Sequence, residues 1–152
     1  MFASNARFWW ADAIRQRAVV RWPYAAAETA PIDERDIGAV AARALCEDRH
    51  DGGDYVLTGP ESLSQAEQVS IIGAAIGRPI RFEELSPEEF RRETAGTWPA
   101  PVVDMLLAAW SAAIGRPAYV TSTVADVVGS PARTFCQWVL DHAEVFRGHP
   151  AG

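Results

Sequence analysis

Aromatic and amide side chains near the start of the chain are the first that could do chemistry. Trp9 lies one helical turn after Asn5, and Trp10 follows it directly. The Asn5 amide could orient a carbonyl group, while indole rings stack on flat ligands. Trp22 and Tyr24, at the end of a short apolar run, are suited to forming pocket walls. The alternative is structural, with Asn5 at a helix start and the rings in the core.

A second apolar stretch runs from Trp98 to Trp110. Its apolar residues recur every three to four positions, which predicts a helix with a wide apolar stripe. Such a helix packs in the core unless the tryptophans line a cavity or an interface. The candidate substrate-binding residues of such a cavity are Asn5, Trp9, Trp10, Trp22, Tyr24, Trp98, Met105 and Trp110, and no catalytic residue is assigned.

The chain contains no lysine, because all 14 basic residues are arginine. Three kinds of site that require a lysine amine are therefore excluded: a Schiff base, a phosphate loop ending in Gly-Lys, and a Tyr–Lys proton donor. Tyr24 in particular has no lysine to assist it as an acid.

The three histidines do not form a catalytic or metal-binding pattern. His50 lies between Asp48 and Asp51, but no second histidine follows at helical spacing. We expect an exposed, solvated turn there rather than a metal site or an acid/base pair. His142 and His149 lie near the end of the chain, so no Ser/His/Asp or Cys/His arrangement can be assembled with them.

Composition indicates one soluble globular domain. The chain has 152 residues, 49% of them apolar, and a net charge of −6. We expect residues 1–147 to form a single domain and 148–152 a disordered tail. The acidic charge argues against nucleic acid as a partner, and no apolar run or secretion signal argues for a membrane, so we expect a cytoplasmic protein. Cys46 and Cys136 are expected to be buried small side chains rather than zinc ligands or a disulfide.

Hydrophobic periodicity and capping patterns predict the first elements. A helix is predicted to about residue 16 with Ser4 as its cap, then a strand within 18–24, and a second helix within 31–48. Asp33 or Asp36 can cap this second helix, and we expect both aspartates to act in folding. A strand is predicted at 55–59.

The later elements follow the same patterns. Capping boxes predict helix starts at Ser64, Ser86 and Thr134, each with Glu or Gln three residues later. A strand within 79–85 precedes the second of these starts, and Glu88 and Arg92 are spaced for an ion pair. Gly77 and Gly115 are expected to end helices. A short helix at 123–129 completes an α/β, helix-rich fold with a small, few-stranded sheet and about five helices.

Four segments of this sequence resemble a known family. These are 1–10, 31–45 ("PIDERDIGAVAARAL"), 55–90 and 129–146 ("GSPARTFCQWVLDHAEVF"). In this order and spacing they are similar to the C-terminal, substrate-binding half of NmrA-like, atypical short-chain dehydrogenase/reductases of the NAD(P)-binding Rossmann superfamily. The resemblance implies that the segment around Asn5 lies near the nicotinamide and substrate, and that the Trp98–Trp110 helix closes over the cleft.

The sequence departs from that family in one respect. The family's N-terminal half carries a glycine-rich turn for the dinucleotide pyrophosphate. No such motif occurs here, and the Gly52-Gly53 doublet lies in an acidic turn. The N-terminal half is therefore expected to be absent, with no cofactor unless a separate Rossmann half supplies NAD(P). We expect the chain alone not to bind NAD(P)H.

Three functions remain open. The first is a small-molecule-binding domain for a flat or apolar ligand, such as a secondary metabolite, which could act as a cofactor-independent isomerase or cyclase. The second is the substrate-binding half of a split or truncated NAD(P)H-dependent reductase. The third is a non-catalytic partner-binding or regulatory protein. The expected partners are a small-molecule ligand and either a second copy of the chain or a complementing Rossmann-type chain.

Overall fold

The computed structural model describes residues 1–147, which form a helix-rich α/β fold. The predicted tail, 148–152, lies outside the described residues. The helices are α1 (Asn5–Arg17), α2 (Glu34–Cys46), α3 (Gln65–Ile76), α4 (Pro87–Thr94), α5 (Ala100–Ala112), α6 (Thr123–Val128), α7 (Phe135–Asp141) and α8 (Ala143–Phe146). The strands are β1 (Val19–Pro23), β2 (Glu28–Thr29), β3 (Leu63–Ser64) and β4 (Arg81–Leu85). A 3₁₀ turn spans Asp48–His50.

The strands form two small sheets. β1 pairs with β4 in parallel, with Val19 opposite Arg81 and Pro23 opposite Leu85, and β2 pairs with β3 in antiparallel. The helix-rich α/β prediction is confirmed. The described residues differ from it in detail, with eight helices instead of about five and two two-stranded sheets instead of one. The helix predicted from Thr134 is divided into α7 and α8 at His142.

Three predicted capping boxes are present, at Ser64, Ser86 and Thr134. At the first, the Ser64 backbone N–H donates to Glu67 Oε2 at 2.8 Å, and the Glu67 N–H donates to Ser64 Oγ at 3.2 Å. The hydrogen bonds from Ser64 lower the pKa of Glu67. Gly77 ends α3 in the left-handed conformation, as predicted.

Two predicted helix ends differ from the structure. Ser4 precedes α1, but its side chain makes no capping hydrogen bond. α5 ends at Ala112 rather than at Gly115. The Ala113 carbonyl accepts a hydrogen bond from the Glu28 backbone N–H at 3.4 Å. Ile114 then forms an isolated antiparallel bridge with Ala27, so the chain has left the helix before the glycine is reached.

The predicted strand at 55–59 is wrong, because this segment forms no sheet. Threonine side chains join it to residues 118–122 instead. The Thr121 N–H donates to Thr58 Oγ1 at 2.9 Å, and Thr121 Oγ1 donates to the Val56 carbonyl at 3.0 Å. Side-chain hydroxyl groups thus replace part of a backbone ladder.

The two aspartates at the start of α2 have different partners. Asp33 caps the helix, accepting the Arg35 backbone N–H at 2.8 Å, and also pairs with the Arg35 guanidinium at 2.6 Å. Asp36 accepts the Arg133 backbone N–H at 2.7 Å and pairs with the guanidinium of the same residue. Asp33 therefore starts α2, while Asp36 ties α2 to the segment before α7.

Replacing Asp33 with asparagine should lower the free energy of unfolding at pH 7 by about 1 kcal/mol, since the cap remains but the charge is lost. Burial acts to raise the pKa of Asp33, but the hydrogen bonds from Arg35 outweigh it and hold that pKa below its ordinary value. The unfolded-state pKa of an aspartate is near 3.9. A carboxylate whose pKa is lower in the folded state stabilises the fold when the pH lies above the unfolded-state pKa. This stabilisation is lost as the pH falls through the folded-state pKa.

Urea unfolding from pH 7 to pH 3 measures this effect. The difference in free energy of unfolding between wild type and Asp33→Asn should become smaller as the pH is lowered. Asp54, which is exposed, provides a charge-matched control, and Asp54→Asn should change little. A difference between wild type and Asp33→Asn that does not change with pH would show that the Asp33 charge does not stabilise the fold.

Two predictions of burial are also corrected. Cys46 and Cys136 are both exposed. Cys46 lies about 120° around α2 from the buried Val40, at 100° per residue. Cys136 lies beside, rather than on, the buried stripe of α7 that includes Trp138.

His50 is not solvated as predicted. Its side chain is only 9% exposed, and its Nδ1 lies 2.7 Å from the Tyr55 hydroxyl oxygen. Residues 1–147 contain no cluster of His, Cys, Asp or Glu suited to a metal ion. None of the helices in this range combines the length and the apolar character needed to cross a bilayer.

Candidate functional site

Five aromatic rings meet around Trp22, which lies in the main hydrophobic core. Strand alternation turns Val20 and Trp22 inward and Arg21 outward. The Trp22 ring centroid lies 4.9 Å from Phe90, 5.4 Å from Trp110 and 5.5 Å from Trp9. The full aromatic cluster comprises Trp9, Trp10, Trp22, Phe90, Trp98 and Trp110.

One side of this cluster opens to solvent as a cleft of about 240 Å³. We call it the aromatic cleft; its lining comprises Phe8, Trp9, Arg21, Trp22, Phe90, Glu93, Thr94, Thr97 and Trp98. Trp9 and Trp98 are half-buried, and Phe8 is 76% exposed. Partly exposed rings above buried ones form a surface on which a flat molecule can stack.

Charged groups line the edge of the aromatic cleft. Arg21 Nη2 lies 2.9 Å from Glu93 Oε1, and Arg21 Nε lies 3.4 Å from Glu83 Oε2. The cleft therefore combines aromatic surfaces with a polar edge, the composition typical of small-molecule sites.

The structure separates the predicted site residues into three groups. Trp9, Trp22 and Trp98 line the aromatic cleft. Trp10 and Trp110 are buried behind it in the cluster, at 0% and 4% exposure.

Three further predicted residues, Asn5, Tyr24 and Met105, lie outside the lining of the cleft. Asn5 and Tyr24 are half-buried, and Met105 is 60% exposed on the outer face of α5. Their assignment to the site stays a prediction.

Sequence reasoning missed six lining residues: Phe8, Arg21, Phe90, Glu93, Thr94 and Thr97. Phe8 could have been found from its position beside Trp9, and Arg21 from the alternation of its strand. Phe90 and Glu93 lie on α4, one helical turn apart, and only the packing of α4 against β1 brings them to Trp22. No local pattern in the sequence predicts the contact between α4 and β1.

The end of β1 is held in an unusual backbone conformation. Tyr24 has a φ of 57°, a left-handed value that is strained for an aromatic residue. The Gln65 side-chain amide donates to the carbonyls of Pro23 and Tyr24, both at 2.9 Å, and Gln65 is 1% exposed. The buried Gln65 side chain thus holds the turn that follows Trp22.

A second cavity, of about 350 Å³, lies on the other side of Trp98 between α4 and α5. Arg91 and Asp104, both in its lining, pair at 2.9 Å, and this hydrogen bond raises the pKa of Arg91. The predicted ion pair between Glu88 and Arg92 is wrong. Glu88 Oε1 lies 3.8 Å from Arg91 Nη1 instead. Arg91 points toward α5, where it also contacts Asp104.

The outer face of α5 is apolar and exposed. The helix buries Val103, Leu107 and Trp110 as its inner stripe. On the opposite side Val102 is 40% and Met105 60% exposed, with exposed alanines at 108, 109 and 112.

Comparison with known proteins gives relatives of about twice this length. No family model matches the chain. It is 40% identical over 146 residues to a (4-alkanoyl-5-oxo-2,5-dihydrofuran-3-yl)methyl phosphate reductase of Streptomyces griseus, covering 95% of this chain and 51% of the relative. It is 36% identical over 141 residues to an NAD(P)H azoreductase of Xenophilus azovorans, covering 90% of this chain and 49% of the relative.

Solved structures share the fold. An NADPH-dependent quinone oxidoreductase from Escherichia coli matches with a TM-score of 0.75 and 21% identity, over 93% of this chain and 52% of that one. The Citrobacter sp. triphenylmethane reductase complexed with NADP(H) matches with a TM-score of 0.75 and 16% identity, over 94% of this chain and 50% of that one.

These matches agree with the resemblance of the four sequence segments. The chain spans about half the length of the curated relatives it matches. Its residues nevertheless align almost from end to end, in sequence and in fold. The chain is homologous to about half of each of these relatives, which are NmrA-like, NAD(P)-dependent reductases.

Proposed function

We propose that this chain is the substrate-binding part of an NAD(P)H-dependent reductase and that it holds a flat, largely apolar ligand in the aromatic cleft. The observation that carries the proposal is the position of Trp9 and Trp98, half-buried in the lining of one cleft above the buried Trp22. Their rings are fixed by packing, so little side-chain freedom is lost on binding.

The names of the relatives support a ligand of this shape. An azoreductase, a quinone oxidoreductase and a triphenylmethane reductase each act on a conjugated or aromatic group. The Streptomyces relative is named for an unsaturated five-membered ring. A surface of tryptophan and phenylalanine rings suits such planar groups.

The nicotinamide dinucleotide of the family would supply hydride to the ligand. Residues 1–147 contain no glycine-rich turn between a strand and a helix, and Gly52-Gly53 follows a 3₁₀ turn instead. They do not fit the pyrophosphate of a dinucleotide. Their proposed share of the reaction is to bind and orient the substrate and to exclude water from it.

Binding of 1-naphthol, a flat probe, tests the aromatic cleft. Trp9→Ala should weaken its affinity by about tenfold, or 1.4 kcal/mol, because one stacking wall is lost. The measurement is isothermal titration calorimetry on wild type and variant.

Phe2→Ala is a matched control, since Phe2 is an aromatic side chain, 54% exposed, that does not line the cleft. This variant should bind 1-naphthol like wild type. No binding by wild type, or equal affinity of wild type and Trp9→Ala, would contradict the proposal. Conversion of a ligand by the chain without nicotinamide would instead support the isomerase or cyclase alternative.

The exposed face of α5 motivates a proposal about partners. We propose that it pairs with the same face of a second copy. Asp104 is the only charged residue of α5, and it is already paired with Arg91, so two such faces can meet without repulsion. Sedimentation velocity at tens of micromolar should show a dimer, and Met105→Lys should shift it toward monomer. A monomeric wild type would contradict the proposal that α5 pairs with a second copy of the chain. It would favour a complementing Rossmann-type chain as the partner.

A further inference from the structure

A second groove adjoins the aromatic cleft and is rich in arginine. It has a volume of about 390 Å³ and lies over the outward face of β1 and β4. Arg17 reaches it from the last turn of α1, Arg21 from β1 and Arg81 from β4. We call it the arginine groove.

Strand register explains how the arginines come together. Arg21 pairs with Glu83 across the parallel sheet, and Arg81 lies opposite Val19, two residues earlier on each strand. Side chains two apart on a strand point to the same face. The alternation that turns Trp22 into the core therefore turns Arg21 out into the groove.

Carboxylates neutralise two of the three arginines. Arg21 pairs with Glu93 at 2.9 Å, and Arg81 pairs with Glu83 at 2.5 Å. Arg17 is exposed and makes no ion pair or side-chain hydrogen bond with any residue in 1–147. The groove thus carries a local charge of +1 in a chain whose net charge is −6.

The arginine groove and the aromatic cleft adjoin at the Arg21–Glu93 ion pair, because both residues line both cavities. A ligand whose ring lies against Trp9 can extend a substituent past Arg21 toward Arg17. Guanidinium groups bind phosphate and carboxylate through two parallel N–H donors.

We propose that the arginine groove binds an oxyanion substituent of the ligand, so that the substrate class is a flat ring bearing a phosphate or carboxylate group. This inference rests on the proposed function, since it assumes that the ring occupies the aromatic cleft. Arg17 is the residue that contacts the oxyanion, and Arg21 marks the passage between the two parts of the site.

Three probes separate the two parts by isothermal titration calorimetry at low salt: 1-naphthyl phosphate, 1-naphthol and inorganic phosphate. Wild type should bind 1-naphthyl phosphate about tenfold more tightly than 1-naphthol, and 0.5 M salt should reduce the difference. Arg17→Gln should abolish the difference while leaving 1-naphthol binding unchanged. Arg116→Gln removes the same charge from an exposed loop outside the groove and should leave both affinities unchanged.

Equal affinity of wild type for 1-naphthyl phosphate and 1-naphthol would overturn the inference and leave the aromatic cleft intact. A difference that survives in Arg17→Gln, or that falls equally in Arg116→Gln, would also overturn it. Failure of 1-naphthol to bind, with inorganic phosphate still bound in an Arg17-dependent way, would overturn the proposed function while supporting the anion-binding role of the groove.

Discussion

Replacing Gly59 with alanine should lower the free energy of unfolding by about 3 kcal/mol or more. An added Cβ would lie 2.0 Å from the carbonyl oxygen of Pro31 and 2.7 Å from its carbonyl carbon. Both are backbone atoms, so the clash cannot be relieved by a side-chain rotation. Gly59 is buried, and its N–H donates to the Ala30 carbonyl at 3.2 Å, so a shift of either segment also breaks this hydrogen bond.

Gly38 provides the matched control for this substitution. It lies inside α2, and a Cβ there would meet no atom within 4 Å. Gly38→Ala should therefore raise the free energy of unfolding by roughly 0.5 to 1 kcal/mol through helix propensity. Urea unfolding monitored by circular dichroism measures both variants. Equal stability of the two variants would show that the segments around Pro31 and Gly59 do not pack as described.

Local sequence patterns predicted the helix boundaries well where a side chain closes its own turn. Ser64 with Glu67 is an example, because both capping partners lie within four residues of each other. The strand predicted at 55–59 failed because its outcome depends on Thr121, which is more than sixty residues away. Periodicity cannot report whether an extended segment finds a partner strand or a threonine hydroxyl.

In the candidate site, too, local sequence predicts the residue types, while tertiary contacts determine their exposure. The sequence identified Trp9, Trp10 and Trp22 as aromatic, but their exposure depends on what α4 and α5 cover. Adjacent residues on a helix point about 100° apart, so Trp10 is buried while Trp9 reaches the aromatic cleft. The arginine groove was missed because only the β1–β4 register brings Arg81 to Arg17 and Arg21.

Trp22→Ala should lower the free energy of unfolding by about 3 to 5 kcal/mol, the range for removing a buried tryptophan. Trp22 is 5% exposed and touches all five other rings of the aromatic cluster. Its removal leaves a cavity bounded by rigid rings from α1, α4 and α5, which cannot collapse into it without moving whole helices. The aromatic cleft would lose its floor together with this stability.

Phenylalanine substitutions separate packing from hydrogen bonding in this prediction. The Trp22 indole N–H has no acceptor within residues 1–147, so Trp22→Phe loses only volume and should cost about 1 kcal/mol. Trp138 is equally buried, but its Nε1–H donates to Glu34 Oε2 at 3.0 Å, and Trp138→Phe should cost roughly 1 kcal/mol more because Glu34 loses its donor. Urea unfolding of the three variants gives the comparison. If Trp22→Phe is as damaging as Trp22→Ala, the indole N–H has a partner in solution, and a ligand or water in the aromatic cleft is then the acceptor to look for.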